Sequence, residues 1–89
     1  MLYLVERELQ GAHLLTDDEV CDIREHSIKV AKENFEGIHW RTSYIVADKF
    51  ICIYDAASED DIRRHAEIGK FPLTSITPIA RVVPGDATE

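Results

Sequence analysis

Residues 38–56 read IHWRTSYIVADKFICIYDA. Ile38 to Val46 and Phe50 to Ala56 are rich in β-branched and aromatic residues, and Asp48-Lys49 sits between them where a tight hairpin turn belongs. Before this hairpin, Thr16-Asp17-Asp18-Glu19 reads as a capping box, with the Thr16 hydroxyl on the Glu19 amide and Glu19 reaching back to the Thr16 amide. Three acids in that first turn also suit the positive end of a helix dipole. Val20, Ile23, Ser27, Val30, Ala31 and Phe35 follow at three- and four-residue steps as one inward stripe, and Gly37 is the expected stop. After the hairpin, Ser58-Glu59-Asp60-Asp61 is a second capping signal. Ile62, His65, Ala66 and Gly69 then share one helix face, and Phe71-Pro72 forbids continuation. Leu2 to Leu9 and Ser75 to Val83 are the outer strands, with Gln10 to His13 as a turn after the first. Pro78 demands an edge position, since proline cannot donate to a ladder. The order β-α-β-β-α-β predicts an α+β, ferredoxin-like sandwich. Its four-stranded antiparallel sheet runs in the order 4-1-3-2 with two helices on one face. The expected domain covers residues 1–84, and 85–89 are expected to be a flexible C-terminal tail.

Composition agrees with a single globular core: 89 residues, 45% hydrophobic and 30% charged, with only 4 Gly and 3 Pro. Those proportions exclude a disordered chain, a collagen-like repeat and a disulfide knot. A chain this short hides only about 60–65% of the surface its unfolded form exposes, so dimerisation is expected to supplement the core. No apolar run approaches the ~20 residues needed to cross a bilayer. Ten Lys and Arg against 17 Asp and Glu leave a net charge of −7, which argues against nucleic acid and anionic membrane as partners. Met1 to Val5 are followed at once by Glu6 and Arg7, with no basic leader region, so the expected compartment is the cytoplasm. Cys21 and Cys52 form no CxxC and are expected to be free thiols.

The common uses of this fold can be tested residue by residue. A metallochaperone carries a CxxC in the first loop, and Gln10 to Leu15 contain no cysteine. An acyl-phosphate hydrolase needs an anion cradle there, and one Gly11 without an arginine is not a cradle. Phe50 to Tyr54 faintly resemble the aromatic strand of an RNA-recognition module, but the charge and the poor basic flanks oppose it. No Ser-His-Asp or Gly-x-Ser-x-Gly pattern is present, and the acidic runs at 17–19 and 59–61 are helix N-termini. Left over are His39, Trp40, Tyr44, Cys52, Tyr54 and His65.

A two-residue turn at Asp48-Lys49 predicts pairing of 47 with 50, 45 with 52 and 43 with 54. Alternation then places His39, Arg41, Ser43, Ile45, Cys52, Tyr54 and Ala56 on one face. Trp40, Thr42, Tyr44, Val46, Ile51, Ile53 and Asp55 take the other. Both faces are apolar, which suggests a second buried face, as in a dimer made by stacking sheets. His65 reads either as a core histidine on a backbone carbonyl or as a ligand or acid–base group aimed at the sheet. Cys52 is either a small buried hydrophobe or a thiolate ligand, and His39 either a surface residue or a ligand. His13 and His26 carry weaker signals, and Cys21 reads as packing on the first helix. Convergence of imidazole and thiolate would suit Ni, Cu or Zn, with Tyr or carboxylate oxygen completing the shell. The competing class is a dimeric α/β-barrel-like enzyme or small-molecule binder. Its apolar pocket would be lined by Trp40, Tyr44, Tyr54, His39 and His65, with His65 as general base.

Trp40-x-x-Ser43-Tyr44, Asp48-Lys49, Cys52-Ile53-Tyr54-x-Ala56, Arg63-x-His65-Ala66, Gly69-x-Phe71-Pro72 and Ile76 together resemble a bacterial family. It is the family of small nickel-binding, nickel-responsive proteins with a ferredoxin-like fold, and the resemblance runs from the first strand to Pro84. It implies a homodimer that binds nickel, to buffer or deliver it, without catalytic chemistry of its own. Cys52 and His65 fall on motif positions and are the leading implied ligands, with Tyr54 beside them and His39 next to the Trp40 motif. One departure is Thr42, at a position associated with His or Glu in many members; a ligand there would be lost in this chain.

Overall fold

The element order expected from the sequence is the one the chain adopts. A computed structural model describes residues 1–85. It contains β1 (Leu2–Glu8), α1 (Asp17–Asn34), β2 (His39–Val46), β3 (Lys49–Asp55), α2 (Glu59–Gly69) and β4 (Ser75–Pro78), with a turn of 3-10 helix at Ala12–Leu14. The four strands form one antiparallel sheet in the order β2-β3-β1-β4, with both helices on one face. The tail expected at 85–89 lies, Gly85 apart, outside the described residues.

Local chemistry explains why the helices start where they do. The Glu19 amide donates to the Thr16 hydroxyl at 3.2 Å and the Thr16 amide to the Glu19 carboxylate at 2.9 Å, closing the capping box. The Ser58 hydroxyl takes the Asp61 amide at 3.3 Å to start α2. Their inward faces meet the sheet. Val5 of β1, Cys52 and Tyr54 of β3, and Ile62, His65 and Ala66 of α2 are all buried, with Val30 and Ser27 of α1 beside them.

Two element ends differ from expectation. Helix α1 ends at Asn34 rather than Gly37, because Phe35 turns to extended backbone (φ −139°) and packs its ring against the core. Strand β4 ends at Pro78 rather than Val83. Tyr3 is paired with Pro78, the Ile79 amide donates to the Leu2 carbonyl at 2.9 Å, and β1 then offers nothing further to pair with. Pro78 does lie on an edge strand, as its missing donor requires. Cys21, expected to pack, is exposed on α1.

The hairpin turn is Ala47-Asp48, one residue earlier than expected, and Lys49 already pairs with Val46. Pairing runs 45 with 50 and 43 with 52, which preserves the face shared by Ser43, Ile45, Cys52 and Tyr54. Beyond Thr42 the parity breaks. Arg41 is the extra residue of a β-bulge, so Trp40 opposes Tyr54 and His39 opposes Asp55. His39 and Trp40 have therefore exchanged the faces that uninterrupted alternation assigned to them.

Candidate functional site

The helix-covered side of the sheet carries Tyr3, Val5 and Arg7 from β1, Cys52 and Tyr54 from β3, and Trp40 and Ser43 from β2. The bulge is what brings the last two together, since residues three apart on a regular strand point oppositely. The Trp40 indole N–H donates to the Ser43 hydroxyl at 2.8 Å. His39 and Tyr44 lie on the opposite, open face, and both are exposed. Of the residues singled out from the sequence, Cys52, Tyr54, His65 and Trp40 thus share one side of the sheet.

His65 occupies the centre of that side and is 1% exposed. Its ring stacks on Phe71 at 5.2 Å and meets Tyr54 at 5.9 Å and Phe35 at 6.0 Å. The Nε2–H donates to the Ser27 carbonyl at 3.2 Å, a tautomer assigned from that acceptor. Nδ1 is therefore a bare lone pair, buried and without a hydrogen-bond partner. Phe71 reaches this ring because Gly69 leaves its path clear; a Cβ at 69 would run into the Phe71 ring. Lys70 then takes the left-handed conformation (φ 59°) that ends α2.

Burial in this aromatic cage pushes the His65 pKa below its ordinary value; the Ser27 carbonyl opposes the shift, and the nearby charges of Arg7 and His26 add to it. The sign for folding follows directly. The unfolded chain takes up the proton near pH 6.5 and the folded chain resists it, so stability is complete above that pH and falls as the pH drops below it. The unfolding midpoint should be lower at about pH 5.5 than at about pH 7.5, and His65→Gln should remove most of that difference. The carboxylates held low, Glu6, Glu19 and Asp55, contribute only below this window, where the unfolded chain protonates them.

Between α1 and the β2–β3 half of the sheet lies a cleft of about 720 Å³. Cys52, Tyr54, Trp40, Ser43 and His26 line it, while His65 stands behind the wall made by Tyr54 and Phe71. Two lining residues carried little or no functional weight in the sequence. His26 places Nε2 3.0 Å from the Gly69 carbonyl, with its ring 5.2 Å from Phe71. Arg7 is 4% exposed and donates to the Pro72 carbonyl at 2.7 Å and the Tyr54 hydroxyl at 3.4 Å. The signal for Arg7 was present: Tyr3, Val5 and Arg7 alternate, and parity alone places the guanidinium on the buried face.

Imidazole, thiol and phenol are donor types that nickel accepts, and the orphan Nδ1 of His65 is such a donor, screened from the cleft by the Tyr54 and Phe71 rings. Among the described residues no three His, Cys, Asp or Glu side chains come together to hold an ion. On the open face His39 gains nothing from its neighbour, because Asp55 is engaged by the Met1 amine at 3.0 Å and by Arg41 at 3.1 Å. No helix among the described residues is long and apolar enough to cross a membrane.

Comparison with known proteins bears on the same point. No curated protein matches the chain. The crystal structure of SCO4226 from Streptomyces coelicolor A3(2) superposes with a TM-score of 0.78 at 15% sequence identity, covering 93% of this chain and 100% of that one. That likeness is one of fold. The family model described as "Nickel responsive protein SCO4226-like" matches residues 3–79, which include both helices, β2 to β4, all of β1 but its first residue, and Cys52, Tyr54 and His65. With a match of that extent, the chain belongs to the SCO4226-like family of nickel responsive proteins.

Proposed function

We propose that the chain is a cytoplasmic nickel-binding protein that buffers or delivers the metal as a homodimer. The observation that carries this reading is the buried, unpartnered Nδ1 of His65 in a chain whose family is described by its response to nickel. Cys52, His65 and Tyr54 are the residues we assign to the metal, with water or a second chain completing the shell. His39 faces away from them and would take part only where a second copy stacks on the open face. That face supports the dimer: Leu4, Ile51 and Ile53 are half-buried, and Tyr44 and Val46 are 57% and 44% exposed.

Calorimetric titration of the metal-stripped protein with nickel tests the assignment. Wild-type protein is expected to bind with a Kd in the micromolar range or tighter, and Cys52→Ser and His65→Ala are each expected to weaken it by roughly tenfold or more. Binding that both variants retain would remove the two residues as ligands. Absence of heat in the wild type would remove the reading itself.

A further inference from the structure

Arg7 is a buried cation without a counter-charge. No carboxylate among the described residues is within ion-pair distance of it. Of its five N–H donors, two are hydrogen-bonded, and both acceptors, the Pro72 carbonyl and the Tyr54 hydroxyl, are neutral. The Tyr54 and Phe71 rings lie 5.8 and 5.5 Å from the guanidinium carbon, which eases its burial without neutralising it. Removing a full charge from water with only neutral partners is costly, and an anion reaching it from the cleft would offset that cost through charge-assisted hydrogen bonds.

Arg7 lines the 720 Å³ cleft, a volume within the range of roughly 300–1,000 Å³ typical of small-molecule sites. The other walls are aromatic, from Trp40, Phe50, Tyr54 and Phe71. Arg24 and Lys70 also line it, with Asp22 as the only acid among the described residues, a local reversal of sign in a chain of net charge −7. We propose that this cleft binds a small organic carboxylate with a flat apolar body, the carboxylate on Arg7 and the body against the aromatic walls. Such a guanidinium–carboxylate contact is charge-assisted and directional. The cleft shares Cys52 and Tyr54 with the nickel reading, but the carboxylate contact is argued from Arg7 and does not depend on a bound metal.

The ligand's charge and its apolar body can be tested apart. Benzoate and its neutral analogue benzamide are titrated into the full chain without added metal, following the Arg7 Nε–H and Trp40 Nε1–H resonances. Benzoate should move both and bind roughly tenfold or more tighter than benzamide, as a charge-assisted pair requires. In Arg7→Met, which keeps the packing stem and removes the charge, the preference for benzoate should vanish. Equal binding of the two compounds, no binding of either at millimolar concentration, or a preference that survives in Arg7→Met would each overturn the proposal. The wild-type comparison decides even if the variant folds poorly.

Discussion

Ile62→Ala is expected to lower the unfolding midpoint sharply. Ile62 is 1% exposed on the inward face of α2 and packs in one cluster with Tyr3, Val5, Cys52 and Tyr54. Removing its three outer carbons forfeits their transfer free energy and leaves a cavity that a sheet on one side and a helix on the other cannot collapse. The expected cost is about 3 kcal/mol. For a domain of this size that is a fall of roughly 12–24 °C. Differential scanning calorimetry reads it directly. A fall of only about 4 °C would mean that the site relaxes and that α2 is held mainly by something other than this contact.

Ile53→Asp is the second large effect, and it acts on association rather than on the fold of one chain. Ile53 sits between Leu4 and Thr42 in the middle of the open face, on the central strand β3. If two copies stack there, the substitution buries two like charges with no partner. The cost is on the order of 4 kcal/mol, about a thousandfold in dimer affinity. Light scattering should report about twice the chain mass for wild-type protein and one chain mass for the variant, with circular dichroism unchanged. A wild-type monomer at high micromolar concentration, or a variant that still dimerises, would sink the stacked-sheet dimer.

Thr16 and Glu19, Ser58, and the edge demanded by Pro78 were legible because their chemistry is local or belongs to a single strand. The hairpin tip was not. Ala47 takes a left-handed conformation (φ 53°), which its side chain does nothing to announce. Contacts from elsewhere hold it there: the His13 amide donates to the Ala47 carbonyl at 3.0 Å and the Gly11 amide to the Asp48 carboxylate at 2.9 Å. The bulge at Arg41 escaped for a related reason. Alternation assumes an unbroken ladder, and one extra residue exchanges the faces of His39 and Trp40. The three-residue spacing of Trp40 and Ser43 was its one visible sign. Of the candidate residues, alternation placed Cys52 and Tyr54 on one sheet face and helical spacing placed His65 on the inward face of its helix, whereas His26 gave only a weak signal and Arg7 drew no reading.

The bulge has a consequence for how this sheet ends. Strand β4 closes one rim in four residues and finishes on proline, while β2 leaves an eight-residue rim open at the other. An unguarded rim of that length is a template on which a stray strand from another molecule can grow towards a fibril. Arg41 interrupts it near its start, and the guanidinium, tied to Asp55 at 3.1 Å, holds a charge across the gap. A newcomer can therefore match only Thr42 to Val46 before the spacing of donors and acceptors falls out of step. The sheet remains free to stack through its face, while any extension through its side is limited to that five-residue stretch.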